Sequence, residues 1–143
     1  MGCPTETLDA PETEAALRVL VAEDEALVAL SLSDLFEAEG HEVAVAPDGA
    51  EALAQARRMG GALDVLVTDL NMPRMGGEDL IRALRAERPG LPVVVVTGSP
   101  PPGGAEALRR HGGGHGPLAL LHKPIDYARL AETLRRVAPA GHS

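Results

Sequence analysis

Five short apolar runs recur along the chain, and each is separated from the next by a segment whose apolar residues repeat at helical spacing. This alternation restricts the fold more than any other feature. RVLVA at 18–22, DVLVT at 64–68, PVVVVT at 92–97 and LALLH at 118–122 are apolar almost throughout, as strands covered on both faces must be. HEVAVA at 41–46 alternates instead, as expected of a strand nearer a sheet edge. Between the runs, 26–39 carries Val28, Leu32, Leu35 and Phe36 at helical spacing and ends on Gly40 in the C′ position. After a turn at Asp48-Gly49, 50–59 reads as a helix stopped by Gly60-Gly61, and 78–87 sets Leu80, Ile81 and Leu84 on one face. A weak helix at 105–111 stands between a Pro/Gly-rich stretch (98–104) and a glycine cluster (112–116), and 126–137 aligns Tyr127, Leu130, Leu134 and Val137. Strands alternating with helices imply an α/β fold: a single doubly wound five-stranded parallel sheet with helices on both faces.

A chain of 143 residues holds one such domain. Residues 1–16 are acidic, contain Pro4 and Pro11 and show no period, so they read as a flexible N-terminal tail. The domain is expected at 17–138 and a short C-terminal tail at 139–143, with no output domain after it. One Phe, one Tyr and no Trp leave the core to Leu, Val and Ala. Cys3 is the only cysteine, which excludes an internal disulfide and suits a reducing cytoplasm. Met1-Gly2-Cys3 hints at a lipid anchor, but Glu6 stands where the acylation pattern wants Ser or Thr. No signal sequence and no membrane-spanning run is found, so no membrane partner is expected. A net charge of −8, with basic pairs scattered at 57/58, 109/110 and 135/136, argues against direct nucleic-acid binding.

In parallel α/β sheets, ligands bind beyond the carboxyl ends of the strands. Those ends carry Glu23 and Asp24 after the first strand, Asp69 after the third, Thr97 on the fourth, and Lys123 with Pro124 after the fifth. Singly, each has an ordinary structural role: a helix cap, a solvated loop acid, a turn residue, a surface charge. Together they bring three carboxylates, a hydroxyl and an ammonium to one rim, which points to chemistry. Clustered carboxylates repel, and a hard cation such as Mg²⁺, which takes few protein carboxylates and keeps several waters, relieves that repulsion. An aspartate in such a setting is a covalent phosphoryl acceptor of known type. His111 and His115 have metal-ligand spacing, but the glycines between them oppose a helix there. His122 should point away from the site by strand alternation, and neither glycine cluster has nucleotide-loop spacing.

Four blocks, VLVAEDE, VTDLNMPRMGG, VVVVTG and HKP, occur in order on the right strands, and over about 18–137 the sequence resembles a receiver domain of a two-component response regulator. The resemblance implies the flavodoxin-like strand order 2-1-3-4-5. It makes Asp69 the acceptor of a phosphoryl group from a histidine kinase or histidine phosphotransfer protein. Mg²⁺ would be held by Glu23, Asp24, Asp69 and the backbone carbonyl of Asn71, while Thr97 and Lys123 would engage the phosphoryl group. Pro73 and Gly77 match the family's loop, and Pro124 matches its proline after a cis bond. Such a domain is not an enzyme in the usual sense, but assists its own phosphorylation and dephosphorylation. It stands alone or belongs to a hybrid histidine kinase, with a downstream protein as partner. Two departures accompany the match. Leu120 replaces the Tyr or Phe usual three residues before the lysine, with neither Phe36 nor Tyr127 placed to substitute, and the glycine-flanked fourth helix should be short or mobile. These leave a second reading, a phosphorylation-independent interaction module with the same fold. A hydrolase with an aspartyl nucleophile is disfavoured, because Asn71 stands where a second aspartate is needed.

Overall fold

The computed structural model describes residues 16–138. Apart from Ala16, the expected tails at 1–16 and 139–143, with Cys3 and the possible anchor, lie outside the described residues. Strands β1 (Arg18–Ala22), β2 (Glu42–Ala46), β3 (Val65–Thr68), β4 (Val93–Thr97) and β5 (Leu118–His122) form one parallel sheet in the order β2-β1-β3-β4-β5. Helices α1 (Ala26–Ala38), α2 (Gly49–Met59), α3 (Gly77–Glu87), α4 (Gly104–Gly112) and α5 (Tyr127–Val137) cover both faces. The fold and strand order implied by the sequence are those observed.

The strand period of two divides the interior into two cores. Leu20, Ala22, Leu66, Val93, Val95 and Leu118 pack against Ala52 and Ala56 of α2, Leu80, Ile81 and Leu84 of α3, and Leu108 of α4. Val19, Val21, Val65, Val67, Val94 and Val96 meet Leu32 and Phe36 of α1 and Leu130, Leu134 and Val137 of α5. Each fully buried Val or Leu contributes about 1.5–3 kcal/mol, so the apolar runs hold the sheet while short polar loops close it. Tyr127, expected on the apolar stripe of the last helix, is instead exposed in the first turn of α5. Among the described residues no helix is long and apolar enough to cross a membrane.

Element boundaries follow capping chemistry. Asp48-Gly49 is not a free turn: Asp48 Oδ1 accepts from Glu51 N at 2.8 Å and caps α2, which therefore starts at Gly49. Asp126 caps α5 in the same way through Arg129 N at 3.1 Å. Helix α1 ends in paired bonds from Gly40 N to Glu37 O (3.0 Å) and His41 N to Phe36 O (3.0 Å), with Gly40 at φ +94°. His41 is thereby drawn out of β2.

The fourth helix is nine residues long, longer than expected, and its glycine flank has a packing role. Arg85 of α3, only 2% exposed, donates to the carbonyls of Leu91, Gly113, Gly116 and Pro117 at 2.8–3.2 Å. Burial, and then the nearby Arg109, hold its pKa below the ordinary arginine value. Gly114, at φ +74°, lets the chain approach so closely that a Cβ there would lie 2.5 Å from Pro89 O. The backbone 113–117 thus wraps a buried guanidinium whose partners are carbonyls. Replacing Arg85 with Met strips those carbonyls of their donor. We expect urea denaturation to show a loss of about 3 kcal/mol; a loss below about 1 kcal/mol would contradict this role.

Candidate phosphoacceptor site

Backbone hydrogen bonding continues one residue past the strands and sets the site's frame. Asp69 N donates to Ala22 O at 3.0 Å, Glu23 N to Ala46 O at 3.0 Å, and Lys123 N to Thr97 O at 2.9 Å. The ends of β1, β3, β4 and β5 are therefore in register when their side chains emerge.

Asp69 is 7% exposed and Glu23 3%, so two carboxylates are buried side by side. Lys123 Nζ lies 3.0 Å from Asp69 Oδ2 and 3.1 Å from Glu23 Oε1, bridging them. Asp69 Oδ1 accepts from Leu70 N at 2.6 Å and, at 3.4 Å, from Asn71 N. Glu23 Oε2 accepts from Glu25 N at 3.0 Å. Burial pushes the Glu23 carboxyl above the ordinary glutamate value, against the opposing pull of the Glu25 amide and Lys123. Burial also works against the Lys123 ammonium, but its bonds to Asp69 and Glu23 prevail and its pKa is raised. Thr97 is fully buried, and its Oγ1 accepts from Ser99 N at 3.2 Å. The Lys123–Pro124 peptide is cis, as the resemblance implied.

Glu23, Asp24 and Asp69 offer oxygens that all lie within 4.8 Å of one another. Among the described residues this is the one group of three His, Cys, Asp or Glu side chains close enough to share an ion; His111 and His115 join no such group. An all-oxygen donor set with two buried carboxylates and one exposed, Asp24, fits a hard divalent cation that retains water. Asn71 follows in the loop with its side chain exposed. His122 is exposed as well, and its neighbour Lys123 alone enters the cluster.

The rim residues expected from the sequence include Glu23 but not Glu25, whose Oε1 is 3.8 Å from Lys123 Nζ. The run Glu23-Asp24-Glu25 was the available signal. Leu120 is half-buried against the α2–α4 core, Phe36 is buried on the opposite face of the sheet, and Tyr127 is exposed, so no aromatic ring takes the place of Leu120.

Removing the ammonium should expose the repulsion it masks. Without divalent cations, Lys123→Met is expected to lower unfolding free energy by about 3 kcal/mol at neutral pH. Because Glu23's folded pKa lies above its unfolded value, folding favours its protonated form, and the penalty of the ionised form fades as pH falls through that raised value. The difference between wild type and K123M, followed by denaturation from about pH 7 to pH 5, should therefore shrink. A deficit that stays constant, or grows toward acid, would contradict this charge balance.

A model of the "response regulator receiver domain" family matches residues 19–135. A response regulator receiver protein of Anaeromyxobacter sp. (strain Fw109-5) is 38% identical over 115 residues, covering 80% of this chain and 46% of that protein. The chain thus spans less than half the length of this curated relative. Vibrio cholerae chemotaxis protein CheY4 has a solved structure that superposes with a TM-score of 0.74 at 31% identity, covering 86% of this chain and 99% of that one. The solved receiver domain of the hybrid histidine kinase CckA gives a TM-score of 0.67 at 33% identity, covering 83% and 96% respectively. With the strand order, the acidic cluster and the bridging lysine described above, these matches show that the chain belongs to the response regulator receiver domain family.

Proposed function

We propose that Asp69 takes up a phosphoryl group from phosphohistidine on a histidine kinase or histidine phosphotransfer protein, in a folded unit spanning 17–138. The observation that carries this reading is the buried Asp69 carboxylate, held by Lys123 within the Glu23–Asp24–Asp69 cluster. In the reaction an Asp69 oxygen bonds to phosphorus as the N–P bond of phosphohistidine breaks, and the imidazole leaves with the electron pair. Glu23, Asp24, Asp69 and the backbone carbonyl of Asn71 would hold Mg²⁺, which when bound neutralises charge on the transferred group. Lys123 then exchanges its bond to Asp69 Oδ2 for one to a phosphoryl oxygen, and the Thr97 hydroxyl donates to another. The domain is a phosphoacceptor that assists its own phosphorylation and dephosphorylation rather than a turnover enzyme. Its setting is the cytoplasm, with an unknown downstream protein as reader and no direct contact with nucleic acid.

The CckA receiver among its structural relatives supports a phosphorelay setting. Leu120 offers no ring to swing inward, which favours relaying or draining phosphoryl groups alongside any switch. Incubation with Mg²⁺ and a small-molecule phosphodonor, followed by intact mass measurement, should add one phosphoryl group to wild type and none to Asp69→Asn. Addition that survives D69N would overturn the assignment of Asp69. No addition to wild type would favour the phosphorylation-independent module.

A further inference from the structure

The loop between β3 and α3 has a demanding task, because it would bring the Asn71 carbonyl to the same ion as the Asp69 carboxylate. It is fixed at two points. At its base Gly77 N donates to Leu70 O at 2.9 Å, and a Cβ on Gly77 would lie only 2.1 Å from Asp69 O. At its tip Met75 N donates to Pro73 O at 2.7 Å, closing a three-residue turn around Arg74 at φ +70°. A γ-turn with positive φ at its centre is the rare and strained hand of that turn, and Arg74 lacks glycine's tolerance for it.

What holds this turn comes from another element. Arg74 Nε and Nη2 lie 3.0 Å and 2.9 Å from Asp48 Oδ2, while the other oxygen of Asp48 caps α2. Asp48 is nearly buried although Arg74 is mostly exposed, so the carboxylate is fixed and the guanidinium comes to it. The cap bond from Glu51 N, with help from Arg74, holds the Asp48 carboxyl below the ordinary aspartate range. Beside the pair, Gly49 N donates to Met75 O at 3.1 Å, and a Cβ on Gly49 would lie 2.2 Å from that oxygen.

We propose that Asp48 and Arg74 are positioning residues for the metal site: their ion pair staples the strained turn at 73–75 to the start of α2 and so fixes the loop 70–77 before any ion binds. The proposal rests on the reading above that Asp69, Glu23, Asp24 and the Asn71 carbonyl hold Mg²⁺. Three of those ligands follow the ends of strands, and two of them, Glu23 and Asp69, are already held by Lys123. The fourth belongs to the loop, and a loop that becomes ordered only on binding loses affinity to that ordering.

The test uses the full chain without phosphodonor. Mg²⁺ titrations by calorimetry, amide hydrogen exchange of 70–75 without metal, and thermal unfolding are compared for wild type, R74Q, R74G and D48S, which keeps a capping hydroxyl. R74Q and D48S should raise the Mg²⁺ dissociation constant about tenfold, as loss of an outer-sphere support does, and speed exchange across 70–75. R74G relieves the turn's strain, so it should weaken Mg²⁺ binding without lowering the melting temperature. That separation is what a purely structural role would not produce. Mg²⁺ affinity within twofold of wild type in both R74Q and R74G overturns the proposal. Failure of wild type itself to bind Mg²⁺ overturns the reading beneath it, and the two failures are distinct.

Discussion

The ammonium of Lys123, shared between Glu23 and Asp69, is the interaction on which the rest of the site depends. Two carboxylates this deeply buried are unfavourable neighbours, and a cation at 3.0–3.1 Å from both is what makes their burial tolerable. The geometry is long-range in every sense. Lys123 reaches from β5 past β4 to β3 and β1, and strands about 4.8 Å apart put β5 about 10 Å from β3. A long, unbranched side chain spans that distance, and the strand between them ends in the small Thr97. The pairing also leaves the cluster acidic: Asp24 is exposed and Glu25 adds a further carboxylate near the lysine. An excess of carboxylate oxygens around one ammonium suits a divalent cation, whose charge offsets the repulsion that an incoming phosphoryl group would otherwise meet.

The two ends of the sheet manage charge differently. At the carboxyl rim opposite charges meet in a partly open cluster, where a ligand can exchange one partner for another. On the far side Arg85 is buried without a carboxylate, and its hydrogen bonds run to fixed carbonyls at 2.8–3.2 Å. The link from α4 into β5 is therefore anchored at that end, while the reactive end carries loops held by ion pairs. A domain that accepts a charged group benefits from this division.

Much of this was legible in the sequence, for a physical reason. Strands buried on both faces must be apolar throughout, so four of the runs announced the parallel sheet, the alternating 41–46 run marked an edge, and the polar residues after the apolar runs marked the rim. Helix limits shifted by a residue where Asp48 and Asp126 proved to be caps. What could not be read depends on partners distant in the chain. The sequence puts Glu23 on the rim, but its burial is tolerable only once Lys123, 100 residues away, lies against it. Arg85 looks like one more helix-surface charge until backbone carbonyls 28–32 residues later converge on it. The glycines of 112–116 read as looseness, yet Gly114 and Gly116 serve close packing. Leu27 and Leu30 of α1, well exposed beside the acidic rim, were equally silent in a helical pattern that also contains Leu32 and Phe36.

The central claim is that the Lys123-held carboxylate of Asp69 is where phosphorus becomes attached. An acyl phosphate is reduced by borohydride to an alcohol, so a phosphorylated aspartate is converted to homoserine and can be located by peptide sequencing. After phosphorylation in Mg²⁺ and quenching with borohydride, homoserine should be found at position 69 and at no other aspartate. Homoserine at another aspartate such as Asp24, or phosphorylated protein that yields none, would contradict the account.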